Sequence, residues 1–168
     1  MMSDKIIQFL EDKGVKHIFM VTGGHSMYLN DAVFKSKIEP IFCHHEQAAA
    51  MAAEAYGRLS GLGVVMVTAG PGAINALNGV VGAYVDSSPM MMISGASTSD
   101  MIKYMQKTGI RQHGLQGVDI KPMAESYTKY FKTVESMKDV KEAYKIATTD
   151  RKGPVWLEVP LDQQKRNS

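Results

Sequence analysis

The sequence predicts an α/β fold, a three-layer α/β/α sandwich built on a six-stranded, mostly parallel sheet. Two observations carry that expectation. Strand-like and helix-like patterns alternate along nearly the whole chain, the order that builds parallel strands joined by crossover helices. The strand-like stretches are also continuous apolar runs, such as Val64-Val65-Met66-Val67 and Met90-Met91-Met92-Ile93. Runs of that kind belong to strands covered on both faces.

In chain order, Ser3 can cap a helix that runs through Lys13, with Ile6, Ile7, Phe9 and Leu10 on its apolar face and Gly14 ending it. His17 to Val21 reads as a buried strand, Thr22-Gly23-Gly24-His25 as a tight turn, and Ser26 to Phe34 as a helix. Ile38 to Phe42 is the next strand, and it runs directly into an Ala-rich helix with plausible stops at Gly57 and Gly61. Gly63 to Thr68 is a third strand, followed by the turn Gly70-Pro71-Gly72 and a helix from about Ala73 to Asp86. Met90 to Ser94 forms the fourth strand, and the polar stretch from Gly95 to Gly117 holds a helix around Met101 to Gln106. Thr128 to Val134, Lys138 to Thr148 and Pro154 to Pro160 read as strand, helix and strand, and Leu161 to Ser168 as a polar tail.

Composition sets the bounds. A chain of 168 residues reads as one domain, 1–168, large enough to bury roughly 70% of its unfolded surface. It is 45% hydrophobic and 21% charged, which suits a soluble globular protein. A net charge of +2 without any Lys/Arg run argues against a nucleic-acid partner. The single Cys rules out an internal disulfide framework and fits a reducing, cytoplasmic setting. No signal-peptide pattern and no membrane-length apolar run is present. The thirteen Met residues read as core filler rather than a binding surface.

The stretch that organises the rest is Cys43-His44-His45-Glu46 followed by Gln47 to Arg58. From Gln47 to Ala55 small or apolar residues occupy nearly every side, the mark of a helix buried all round. Glu46 would stand at its first turn, just past a strand's end, where open α/β sheets place ligands. An acid in a first turn also complements the helix dipole without any further role. His44, His45 and Glu46 do not share a helix face, so they do not make a metal site, and no other His or Cys has ligand spacing. Gly70-Pro71-Gly72 resembles a phosphate-binding turn. The dinucleotide pattern wants a third Gly where Asn75 stands, and an acid ending the next strand; Met90 to Ser94 carries none. A close strand-to-helix turn remains the other reading of this Gly-Pro-Gly.

Three pieces in order carry a family resemblance: the Gly23-Gly24 turn, the run from His45-Glu46-Gln47 to Tyr56-Gly57-Arg58, and the run from Val67-Thr68-Ala69-Gly70-Pro71-Gly72 to Asn78-Gly79-Val80, with Ala83-Tyr84-Val85-Asp86-Ser87-Ser88-Pro89 behind it. Together they resemble the N-terminal, pyrimidine-binding domain of thiamine diphosphate-dependent enzymes, nearest to the acetolactate synthase group. The resemblance extends to the closing Gly153-Pro154-Val155-Trp156-Leu157-Glu158-Val159-Pro160 and implies the thiamine diphosphate-binding fold.

In that family the Glu at this position meets N1′ of the cofactor's pyrimidine, so the resemblance makes Glu46 the catalytic residue that activates it. It implies that Gly23, Gly24, Pro71, Gly72 and Asn75 also line the cofactor site, and that Gln116 lies near substrate. The family's reactions decarboxylate a 2-oxo acid or transfer its two-carbon unit. Acetolactate synthases usually have Phe before that Gln, Glu after it and Pro before the Gly-Gly turn; here Leu115, Gly117 and Thr22 stand instead. Arg111 and His113 read as solvated loop residues or as contacts to an anionic substrate.

No Gly-Asp-Gly occurs in the chain, so the resemblance assigns Mg2+ and the diphosphate to a partner domain or subunit. That makes the chain either one subunit of a split enzyme, as in sulfopyruvate or phosphonopyruvate decarboxylase-like systems, or a domain of a longer one. Either way a homo- or hetero-oligomer is expected, joined through the helices after Glu46 and Gly72. The competing expectation is a non-catalytic pyrimidine-type domain serving as an assembly or regulatory module.

Overall fold

The computed structural model of the chain describes residues 1–167. Its strands are β1 (His17–Met20), β2 (Glu39–Phe42), β3 (Gly63–Val67), β4 (Met90–Ala96), β5 (Tyr130–Thr133) and β6 (Pro154–Pro160). They form one six-stranded sheet in the order β2-β1-β3-β4-β6-β5, and every neighbouring pair is parallel. The helices are α1 (Met2–Asp12), α2 (Met27–Lys35), α3 (Glu46–Ser60), α4 (Pro71–Val85), α5 (Ser99–Thr108), α6 (Lys121–Ser126), α7 (Met137–Thr148) and α8 (Leu161–Lys165).

Alternate strand residues feed two cores, which is why the central runs are apolar throughout. Val64, Met66, Met91 and Ile93 pack with α1, α2 and α7 on one face. Val65, Val67, Met90 and Met92 pack with α3, α4 and α6 on the other. Met66, Met90, Met91 and Met92 are all fully buried, each contributing about 1.5–3 kcal/mol by leaving water. These methionines fill the core, while Met27 and Met51 are exposed. The layers are therefore helix, sheet, helix, as the sequence predicts.

Adjacent strands β1 and β3 lead to helices on opposite faces, α2 and α4. The crevice beyond their carboxyl ends is the place where such sheets take ligands.

Several local expectations are corrected. Helix α1 begins at Met2 rather than after Ser3; the amino group of Met1 donates to Asp4 Oδ2 at 2.7 Å, and Ser3 is buried within the first turn. Helix α3 runs through Gly57 and stops at Gly61, whose φ of 94° is the left-handed conformation of a glycine cap. It is not buried all round. Ala49, Ala50, Ala53 and Gly57 face the sheet and α4, while Gln47, Ala48, Met51 and Ala55 are exposed, with no other element among the described residues over that side.

The expected polar tail contains α8, with Gln164 fully buried. Its amide donates to the His25 carbonyl at 2.6 Å and to the Val159 carbonyl at 2.8 Å. Composition alone hid that helix because its anchor is a polar side chain with partners far along the chain. Nearby, Met2 N–H donates to the Arg166 carbonyl at 2.9 Å, so the first and last helices lie side by side. No helix among the described residues is long and apolar enough to cross a membrane.

Candidate functional site

Three loops meet at the carboxyl ends of β1, β2 and β3, and each delivers part of the site. After β2 the chain turns at His45, whose Nδ1 accepts from the Gln47 N–H at 3.1 Å and so caps α3. Glu46 is thus the first residue of α3 and half-buried. After β3, Gly70 makes the turn with a φ of 60° and Pro71 opens α4 at the position where its missing N–H costs nothing. Asn75, one turn into α4, donates from Nδ2 to Glu46 Oε2 at 3.0 Å.

That bond fixes one carboxylate oxygen and turns the other toward Gly72. A Cβ at Gly72 would stand 3.1 Å from Glu46 Oε1 and 2.9 Å from the Thr68 methyl. Only glycine leaves the space over Oε1 open. Gly23 belongs to the same constellation, since a Cβ there would come 2.4 Å from Thr68 Cβ. Gly24, beside it, faces open space.

Thr68 is the residue that sequence reasoning missed. It touches both glycines, and its hydroxyl accepts from the His25 N–H at 3.2 Å. Its signal was available: a lone hydroxyl ending the apolar run Val64 to Val67.

The structure brings Gly23, Glu46, Gly72 and Asn75 together, with Thr68 between them, and Pro71 at the head of α4. Gln116 joins from another direction. Its carbonyl lies over Gly70, where a Cβ would stand 2.1 Å from that oxygen, and its side chain is exposed. His113 stacks near Tyr104, with ring centroids 4.9 Å apart, and Arg111 is exposed. Among the described residues no three or more His, Cys, Asp or Glu side chains gather as metal ligands do.

Gly23 and Gly72 thus keep side chains away from Thr68 and from Glu46 Oε1. A carboxylate with one oxygen held and the other beside a glycine is a group able to make a single acid/base contact.

Residues 2–123 match the family model described as "Thiamine pyrophosphate enzyme, N-terminal TPP binding domain". Among curated proteins, the chain is 36% identical over 166 residues to the acetolactate synthase large subunit of Haemophilus influenzae, covering 95% of this chain and 28% of that protein. It is 36% identical over 167 residues to the probable acetolactate synthase large subunit of Methanocaldococcus jannaschii, covering 96% and 27%. It is 35% identical over 170 residues to the chloroplastic acetolactate synthase 2 of Nicotiana tabacum, covering 98% and 24%. The chain thus spans about a quarter of the length of the relatives it matches.

Proposed function

The chain belongs to the thiamine pyrophosphate enzyme N-terminal TPP-binding domain family, and from that premise we propose that residues 1–168 act as the pyrimidine-binding half of a thiamine diphosphate-dependent enzyme. The reaction is decarboxylation of a 2-oxo acid, transfer of its two-carbon unit, or both. When bound, thiamine diphosphate supplies the carbanion chemistry. This chain's residues supply orientation and one proton contact. Glu46 Oε1 holds and exchanges a proton at the pyrimidine N1′, while Asn75 keeps the other oxygen occupied. Gly72, with Pro71 ahead of it, leaves room for the ring. The Gly23-Gly24 turn, backed by Thr68, borders the reacting centre, and Gln116 meets the 2-oxo acid.

The observation that carries this reading is the pairing of Glu46 Oε2 with Asn75 at 3.0 Å beneath a glycine that keeps Oε1 uncovered. A glutamate serving the helix dipole alone needs neither partner. The anchor for diphosphate and Mg2+ belongs to a partner domain or subunit. The face that receives it is formed by α3 and α4, where Met51 is 52% exposed and Val85 69% exposed among small residues.

Affinity for a doubly phosphorylated ligand comes mostly from its metal, so the chain by itself should bind thiamine diphosphate weakly. Calorimetry with Mg2+, with and without a matching diphosphate-binding partner, checks this. Tight binding that appears only with the partner is the expected result. Equal binding in both cases, or none in either, counts against the reading.

A further inference from the structure

One buried acid has no part in the chemistry above. Glu158 is 6% exposed, and its carboxylate accepts from the Thr133 hydroxyl of β5 at 2.8 Å. It shares a cavity of about 10 Å³ with Ser94 and Ser97 at the end of β4, with Ala69-Gly70 and Ala73 at the head of α4, and with Gly117-Val118. That is room for one water molecule, which stays only where it finds two or more polar partners. Ser97 Oγ is buried without a hydrogen-bond partner. Ser94 Oγ accepts from Trp156 Nε1 at 2.9 Å and still has its own proton to give.

The outer wall of this cavity is the segment that carries Gln116. Among the described residues, no backbone-to-backbone hydrogen bond ties residues 110–119 to the rest of the chain. Asp119 Oδ1 accepts from Gln106 Nε2 at 3.5 Å and from the Lys121 N–H at 3.3 Å, and packing holds the remainder. A Cβ at Gly117 would stand 2.8 Å from Ser97 Oγ, and one at Gly114 would stand 3.3 Å from it. Between those glycines Gln116 has a φ of 53°, a left-handed conformation that a side chain disfavours.

We propose that Glu158 is a positioning residue for this segment: neutral, it holds residues 110–119 down through one water shared with Ser97, and on ionising it lets them lift. The proposal rests on the cofactor-half reading only where Gln116 is taken to meet substrate.

The groups acting on the carboxyl are Thr133 from β5, Ser94 from β4 and the charge of Asp119 at the end of the segment itself, while α4 and α5 bring Ala73, Ile102 and Met105. Burial pushes its pKa from 4.5 to about 7, opposed by the Thr133 hydrogen bond and helped by Asp119. A buried carboxylate without a cation must find water. Strands β4 and β5 are hydrogen-bonded to β6 on either side, so the route for water is through the loosely held segment.

The sign follows from linkage. Once the segment lifts, the solvated carboxyl returns toward 4.5. The closed form is then fully favoured below about 4.5 and loses that advantage progressively as pH rises to about 7.

Hydrogen exchange of residues 110–119, corrected for the intrinsic pH dependence of amides, tests this without any cofactor. The parent protein should show protection falling at least about tenfold between about pH 5 and pH 7. Glu158→Gln should flatten the profile, and Ser97→Ala should lower protection mainly at the acid end. A flat profile in the parent, or a rise that survives Glu158→Gln, overturns the proposal. Should Glu158→Gln fail to fold, carbon-detected NMR of the parent decides: a Glu158 titration midpoint in the ordinary carboxylate range, about 4, also overturns it. None of these readouts moves if the cofactor assignment is wrong.

Discussion

Glu46→Gln should leave thiamine diphosphate bound in the partnered protein yet slow deuterium exchange at the cofactor's thiazolium C2 by about 10²-fold or more. The substitution keeps side-chain length, and its amide oxygen can still accept from Asn75 Nδ2, now 3.0 Å from Glu46 Oε2. Its NH2 can still donate to the pyrimidine nitrogen, so binding and orientation survive. What it cannot do is pass a proton back and forth. Quenched-flow exchange followed by NMR separates these contributions, because cofactor occupancy and exchange rate are read independently. Exchange as fast as in the parent, with cofactor fully bound in both, would make Glu46 a first-turn acid serving the helix dipole and nothing more.

Gly63→Ala is expected to cost about 3 kcal/mol of folding stability, at the upper end for overpacking. The added Cβ would stand 1.7 Å from the Ala53 carbonyl oxygen of α3. No rotamer relieves that clash, because the obstacle is backbone. Gly63 N–H also donates to the Pro89 carbonyl at 3.0 Å, so the strand has little freedom to retreat. The helix must move instead, and Glu46 moves with it. Urea unfolding should show a lower midpoint at unchanged slope. Gly82→Ala on α4 is the control, since a Cβ there meets nothing within 4 Å, and it should be neutral or stabilising by up to about 1 kcal/mol. Equal stability in both variants would mean that α3 does not lie against β3 this closely.

The parts of the fold legible in the sequence are those written in side-chain periodicity. Val64 to Val67 and Met90 to Ile93 announce strands buried on both faces, and Pro71 after Gly70 announces a helix start. The limits of α3 were harder to read. Gly57 looked like a stop, but a helix ends where the backbone turns left-handed, and that happens at Gly61. Helix α8 escaped because Gln164 looks like a surface residue until its partners, the carbonyls of His25 and Val159, are beside it.

In the candidate site, Glu46, Gly72 and Asn75 were singled out through motif resemblance, and the structure sets the three side by side. Thr68 was not, since a single hydroxyl at a strand end is common and only its neighbours give it weight. Glu158 carried a plain signal, an acid inside Pro154 to Pro160, yet an acid in a strand commonly points to solvent. Its burial depends on Thr133 and Ser97, 25 and 61 residues away in the chain.

The hydrogen bond from Met2 to Arg166 has a topological consequence. It closes α1 and α8 against each other, so that the first and last described helices make one corner of the fold. That corner belongs to the α1 side of the sheet, and α3 and α4 lie on the other. The corner that ties α1 to α8 and the exposed side of α3 and α4 are thus separated by the whole thickness of the sheet, and a load on one reaches the other only through the strands.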